Sequence, residues 1–187
     1  HLTRQGIAVL RYDERGVGSS EGSFDGATSE DFAGDAAAAV RFLRERPSID
    51  ADKVGLLGMS EGGLVAPMVH VRHEPVSFLV LMAGPSVPGH DLLVEQTAVI
   101  AAAQGAPPAT VDSIRRTQRR AMEVVRTASD SAAIAEQLRP MLEEQGANDE
   151  QIQAQLAKLT GAWFRFFVQY DPQPALRRVD VPVLALY

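Results

Sequence analysis

The residues best suited to chemistry in this sequence surround one serine, Ser60, in the pattern Gly58-x-Ser60-x-Gly62. A short apolar run, residues 53–59, precedes the serine, and a helix-like sequence follows it directly. This order is typical of a nucleophile elbow, a sharp strand-to-helix turn that exposes a serine hydroxyl. We therefore expect Ser60 to have a positive φ, and we expect both flanking glycines to relieve crowding between strand and helix.

The motif by itself is weak evidence, because ordinary glycine and serine usage produces it by chance in about one chain in twenty of this length. The alternative interpretation makes Ser60 an N-cap that begins a helix after a buried strand. The elements around the serine must therefore decide between a nucleophile and a cap.

Two elements before the motif give it a context. Residues 6–12 form a short apolar run that predicts a buried strand. Residues 28–46 predict a helix, because Thr28 and Asp31 have the spacing of a capping box and Pro47 marks the end. With residues 53–59 they predict a β-α-β unit in a parallel sheet that helices cover on both faces, and Ser60 then lies at the carboxyl edge of the sheet.

The loop after the first predicted strand invites two other interpretations. Gly16 and Gly18 resemble part of a dinucleotide-binding fingerprint, but Glu21 occupies the place of the third glycine and no helix opens there. Asp13 and Arg15 are interpreted as residues that brace the loop rather than as catalysts.

The helix after Ser60 offers a possible metal site. His70 and His73 are three residues apart, but no third ligand is visible nearby, so a partly exposed helix end is the favoured interpretation and no metal or other cofactor is predicted. Pro67 is expected to kink this helix.

Composition limits the classes of function. The chain has 187 residues, of which 45% are hydrophobic and 22% charged, and its net charge of -6 makes nucleic acid an unexpected partner. The absence of cysteine excludes disulfides and leaves the compartment open. No apolar run is long enough to span a membrane. His1 and the lack of a leader-like sequence after it suggest that the true N-terminus is not included.

The chain divides into three parts. Residues 1–89 are expected to form an α/β core that contains the elbow, with another buried strand at residues 76–83. Residues 90–170 predict an all-helical insertion of four helices and an aromatic segment, with breaks near residues 105–108, 129–130 and 146–148. Residues 171–187 return to the core and end in a further buried strand. Four arginines of the insertion predict a solvated face rather than an anion site: Arg115, Arg116, Arg119 and Arg120.

The order of these motifs resembles α/β-hydrolase fold proteins, and most closely the cap-bearing serine esterases of the serine aminopeptidase-like branch. The resemblance rests on Tyr-Asp-x-Arg-Gly-Val-Gly-x-Ser at 12–20, Gly-x-Ser-Glu-Gly-Gly at 58–63, Leu-Met-Ala-Gly-Pro at 81–85 and the return segment at 170–184. It departs from the family at Met59, where histidine is common, and little effect is expected because that side chain should point away from the reacting centre.

The resemblance implies acyl transfer, with Ser60 as nucleophile and the backbone N–H of Glu61 in the oxyanion hole. It also implies that the sheet is incomplete here, and that the catalytic acid, the catalytic histidine and the second oxyanion donor lie outside this sequence. The expected partner is a small-molecule ester, and the oligomeric state is left open. Two alternatives remain: a peptidase or amidase on small peptides, and a non-catalytic binding protein on a hydrolase fold.

Overall fold

The computed structural model describes residues 1–187, which form two compact units. One unit consists of His1–Ser86 together with Pro172–Tyr187, and the other consists of Val87–Asp171. The helical unit is thus inserted into the chain of the unit that contains Ser60.

The first unit is built on three parallel strands. Strand β1 spans Leu56–Met59, β2 spans Leu79–Met82 and β3 spans Val183–Leu186, in the spatial order β1-β2-β3. Helix α1 spans Ser29–Arg44 and α2 spans Glu61–Met68. The unit therefore has the predicted α/β class, and Ser60 follows the carboxyl end of β1.

Helix α1 begins where the sequence predicts. Asp31 Oδ2 accepts hydrogen bonds from the Thr28 backbone N–H at 2.8 Å and from the Thr28 hydroxyl at 2.9 Å, which completes the capping box. The helix buries Phe32 and Val40 on one face, as its apolar spacing predicts. The helix predicted from the sequence is confirmed.

The strand predicted at residues 6–12 is wrong. Leu2–Gln5 form a single 3₁₀ turn, and the residues after it are exposed and pair with no strand. An apolar run becomes a strand only where a neighbour accepts its backbone hydrogen bonds, and β1 pairs only with β2. The β-α-β unit around Ser60 is therefore formed by β1, α2 and β2 instead.

Helices cover one face of the sheet, not both as predicted. Leu79 and Leu81 are buried in a cluster with Val40 of α1 and Ala66 of α2. The opposite face is exposed, and its large apolar side chains include Leu57, Met59, Leu184 and Leu186. The final strand, β3, is exposed at every position, so the prediction of a buried strand there is wrong. Within the first unit, no helix packs on that face.

The second unit is entirely helical. Its helices are α3 (Gly89–Ala103), α4 (Pro108–Thr127), α5 (Ser131–Glu144), α6 (Asp149–Leu159) and α7 (Ala162–Gln169). The predicted breaks fall between them, and α7 contains the aromatic segment. Apolar residues from all five helices form one core, which includes Val94, Val125, Ile134, Ile152 and Val168. The prediction of an all-helical segment is confirmed.

Two of the four arginines expected to form a solvated face on α4 pair with carboxylates of this unit. Arg115 pairs with Glu95 at 3.1 Å and with Asp112 at 3.0 Å, and Arg119 lies 3.8 Å from Glu95. These contacts agree with a solvated face. None of the helices has both the length and the apolar content to cross a membrane.

The chain then returns to the first unit through a short helix, α8 (Gln173–Leu176), and enters β3. Between α8 and β3, Asp180 accepts a hydrogen bond from His70 Nε2 at 2.8 Å. This bond lowers the pKa of Asp180 below its usual value. It ties the return segment to the helical turn that follows α2.

His70 is buried, so the prediction of a partly exposed helix end is wrong for this residue. Its Nδ1 accepts from the Val76 N–H at 3.1 Å while its Nε2 donates to Asp180. Both ring nitrogens are thus used in structural contacts. The π-helical turn Val69–His73, which follows Pro67 in α2, brings the ring to this position.

Candidate active site

The turn at Ser60 has the geometry expected of a nucleophile elbow. Ser60 has φ 52° and ψ −117°, β1 ends at Met59, and α2 begins at Glu61. The predicted positive φ is confirmed. For a residue other than glycine, such a conformation costs about 1–3 kcal/mol and persists only where the surrounding structure imposes it.

Backbone hydrogen bonds on both sides impose this conformation. The Ser60 N–H donates to Met82 O at 2.9 Å, and the Gly63 N–H donates to Ser60 O at 2.9 Å. The serine is thus tied to the end of β2 and to the first turn of α2. An N-cap role alone would not require the left-handed φ, because capping residues usually adopt extended backbone angles.

Close backbone packing explains some of the glycines around Ser60. A Cβ at Gly58 would lie 2.0 Å from the carbonyl oxygen of Gly62, and a Cβ at Gly63 would lie 2.6 Å from the Cα of Gly84. A Cβ at Gly62 would meet nothing within 4 Å. The expectation that Gly62 relieves crowding is therefore wrong, because its α-carbon faces open space while its carbonyl creates the crowding at Gly58.

Ser60 lines a pocket of about 310 Å³ in the first unit. The pocket combines apolar and acidic residues, and its other lining residues are Tyr12, Glu14, Phe32, Asp35, Met59, Glu61, Gly62 and Val65. Met59 is one of the lining residues and is largely exposed, and the expected direction of its side chain stays a prediction.

Three polar residues of this pocket were not predicted as site residues from the sequence: Tyr12, Glu14 and Asp35. Tyr12 is half exposed, and partial desolvation raises its pKa, which the nearby carboxylates of Asp35 and Glu14 raise further. Tyr12 begins the motif at residues 12–20 and Glu14 lies within it, and this position is a signal that could have identified both. Asp35 lies one helical turn after Asp31 on α1, and sequence spacing alone does not show that this face meets the elbow.

Arg15 braces the loop against α1, as predicted. Its guanidinium makes two hydrogen bonds of 2.8 Å to the Asp35 carboxylate, and it contacts the Asp31 side chain at 3.4 Å and the Asp31 carbonyl at 3.1 Å. Asp13 accepts from the Ser19 N–H at 3.3 Å, and its carbonyl accepts from the Ser20 hydroxyl. The loop-bracing interpretation of both residues is confirmed.

A second contact joins α1 to the elbow itself. The hydroxyl of Ser29, the first residue of α1, donates to Glu61 Oε1 at 2.6 Å. Ser29 is fully buried. Helix α1 therefore connects the loop on one side, through Arg15, with the residue that follows Ser60 on the other.

Histidine is absent from the lining of the Ser60 pocket. Within the first unit, His70 is bonded to Asp180, and His73 lies 2.9 Å from Glu30. His90 belongs to the helical unit, where its Nδ1 lies 3.2 Å from Val168 O. No three His, Asp or Glu side chains come together as a group that could hold a metal ion.

Comparison with known proteins gives one family and several solved structures. Residues 1–187 match the model of the family described as X-Pro dipeptidyl-peptidase (S15 family). No curated protein gives a significant match.

Two of the solved structures are from Mycobacterium tuberculosis: the provisionally assigned non-heme bromoperoxidase BpoC of strain H37Rv, and Rv0554. Each is 23% identical over 92% of this chain, with TM-scores of 0.42 and 0.43. This chain spans 59% and 58% of their respective lengths. At these values neither likeness supports an argument about function.

Proposed function

We propose that this chain, which belongs to the X-Pro dipeptidyl-peptidase (S15) family, supplies the nucleophile of a serine hydrolase that cleaves carboxylic esters of small acyl substrates. The observation that carries the proposal is the strained Ser60, held at φ 52° at the end of a parallel strand and facing a pocket. The α/β-hydrolase resemblance seen in the sequence is confirmed by the family match.

In the proposed reaction, Ser60 Oγ attacks the ester carbonyl while a base takes its proton, and the tetrahedral intermediate then breaks its bond to the alcohol, which leaves with that proton. Water hydrolyses the resulting acyl-enzyme, which releases the acid and restores Ser60. The backbone N–H of Glu61 donates to the oxyanion that develops in the tetrahedral intermediate. The apolar side chains of Phe32 and Val65 in the pocket exclude water and strengthen that interaction.

The base and the acid of the proposed triad come from outside residues 1–187. Support comes from the histidines: none lines the Ser60 pocket, and His70 and His73 have carboxylate partners in the core unit. A serine hydroxyl is a poor nucleophile at neutral pH without a base to remove its proton. We therefore expect residues 1–187 alone to be inactive, and we assign the second oxyanion donor to a segment outside them as well.

The helical residues 90–170 are proposed to act as a cap that shapes the acyl pocket. Support comes from chain order, because the helical unit leaves the core after β2, whose carboxyl end is at the same sheet edge as Ser60. Replacing the cap with that of a relative should change the chain-length preference among p-nitrophenyl esters. An unchanged preference would count against a cap role.

A peptidase that acts on small peptides is the second candidate, and the acidic residues of the pocket favour it. Asp35 is neutralised by Arg15 and Glu61 is bonded to Ser29, which leaves Glu14 as the pocket carboxylate without an ion pair. A protonated substrate amine could pair with it.

Two p-nitroanilide substrates separate the candidates: a dipeptide derivative with a free amino terminus, and the same compound acetylated. A peptidase should cleave the free amine faster, and Glu14→Gln should remove that preference. An esterase should prefer p-nitrophenyl butyrate to both compounds.

The decisive experiment compares the full-length protein with residues 1–187, each with its Ser60→Ala variant, in hydrolysis of short-chain p-nitrophenyl esters. The full-length protein should be active, and Ser60→Ala should lower its kcat by a factor of about 10⁴ or more. Residues 1–187 should show no turnover that depends on Ser60. Activity that survives Ser60→Ala in the full-length protein would refute the proposed nucleophile and favour a non-catalytic binding role for this site.

A further inference from the structure

Ser29 is a polar side chain buried where its own helix does not need it. It is the first residue of α1 and fully buried, and its hydroxyl donates to a residue 32 positions further along the chain, Glu61. Capping at this end of α1 is performed by Thr28 and Asp31. The hydroxyl of Ser29 is therefore available to bind the elbow.

The contact is short enough to be a strong one. The Ser29 Oγ to Glu61 Oε1 distance of 2.6 Å falls within the range of charge-assisted hydrogen bonds between a hydroxyl and a carboxylate. A buried hydroxyl that lost this acceptor would be left unsatisfied, which is costly inside a protein. The bond therefore holds the Glu61 side chain in one orientation.

Glu61 is also the residue whose backbone orientation matters most to the proposed reaction. It directly follows Ser60 and begins α2. Its side chain is fixed to α1, and α1 is in turn fixed to the Asp13–Ser20 loop by the paired hydrogen bonds of Arg15 to Asp35. The residue that follows Ser60 is thus anchored to a helix that is itself braced by the loop.

We infer that Ser29 is a positioning residue, which aligns the backbone N–H of Glu61 with the oxyanion of the intermediate through the hydrogen bond to the Glu61 side chain. The inference rests on the proposed function, because it assigns the Glu61 N–H to the oxyanion hole. Ser29 itself touches neither the substrate nor the reacting atoms.

The test is a double-mutant cycle in the full-length protein with Ser29→Ala, Glu61→Ala and the two changes together. Ser77→Ala is the matched control, because the Ser77 hydroxyl also makes a long-range hydrogen bond of 2.6 Å in the same unit, to Asp52 O. The measurements are kcat and KM for p-nitrophenyl butyrate, and the inhibition constant of a trifluoromethyl ketone that forms an oxyanion when Ser60 adds to it.

Ser29→Ala should lower kcat about tenfold, since complete loss of an oxyanion donor typically costs about 10²–10³ and misalignment costs less. KM should change less than about twofold, and the inhibition constant should rise by the same factor as kcat falls. Adding Ser29→Ala to Glu61→Ala should cause no further loss, because Ser29 acts through Glu61. Ser77→Ala should keep the wild-type kcat.

A Ser29→Ala variant with the kcat of Ser77→Ala, or losses that multiply in the double variant, would overturn the inference while leaving the nucleophile in place. Hydrolysis that survives Ser60→Ala would refute the proposed function, and the positioning role with it. Thermal unfolding of the same four variants measures the Ser29–Glu61 bond independently of catalysis. A coupling energy between Ser29 and Glu61 in thermal unfolding, with no effect of Ser29→Ala on kcat, would show that the bond is purely structural and would overturn the inference.

Discussion

Adding one methyl group at Gly58 should disrupt the elbow, although the same change at Gly62 should not. The Cβ of Gly58→Ala would lie 2.0 Å from Gly62 O, 2.2 Å from Gly62 C and 2.8 Å from Gly63 N. All three atoms belong to the backbone of the first turn of α2, so no side-chain rotation can relieve the contact. The turn must move by about 1 Å before the shortest distance reaches 3.0 Å.

The size of the effect follows from the rigidity of the turn. Overpacking in a well-packed region typically costs 1–3 kcal/mol, and a clash with backbone belongs at the upper end, so we expect Gly58→Ala to lower the free energy of unfolding by about 3 kcal/mol or more. For a chain of this length that corresponds to a melting temperature about 6–12 °C lower. Gly62→Ala should be neutral or stabilising by about 0.5–1 kcal/mol, because Ala favours helix and its Cβ meets open space.

The assay is urea-induced and thermal unfolding of the two variants and the wild type, followed by circular dichroism. The pair is well matched, since both variants change glycine to alanine two residues from Ser60. Equal stability of Gly58→Ala and wild type would refute the steric argument. So would a Gly62→Ala variant that is as destabilised as Gly58→Ala.

Three further predictions concern other parts of the structure. Gly89→Ala should destabilise the helical unit by about 1–3 kcal/mol, because its Cβ would lie 1.8 Å from a carbonyl oxygen of α7; unchanged melting of the variant would contradict this. His70→Leu should lower the free energy of unfolding by about 1–3 kcal/mol, since it leaves the buried Val76 N–H without its acceptor, and a smaller loss than that of the exposed Asp180→Asn would count against the reasoning. Hydrogen bonds from Thr28 lower the pKa of Asp31, so its contribution to stability should be complete above about pH 4–5 and disappear as the pH falls through the lowered pKa. The free energy of unfolding, measured against pH, should show this loss in the wild type and not in Asp31→Asn. Parallel curves for the two proteins would contradict the predicted contribution of Asp31.

The sequence by itself determined the elements whose causes lie within a few neighbouring residues. Thr28 and Asp31 are three positions apart, and their capping box begins α1 where it was predicted. Short breaks, two with Gly and Pro or Asn and one with Ser129 and Asp130, separate the helices of the second unit for the same local reason. The left-handed φ of Ser60 also follows from a short motif, because a strand and a helix must meet within one residue.

Only the tertiary structure decided which of these elements pair, which are covered and what surrounds the serine. Residues 6–12 have the composition of a strand but no partner for their hydrogen bonds, and pairing is a property of two segments. Gly58 proved crowded and Gly62 open, because crowding depends on the direction of each α-carbon relative to a distant backbone. Glu14, Asp35 and the buried Ser29 reach the elbow through the packing of α1, across separations that no local pattern encodes.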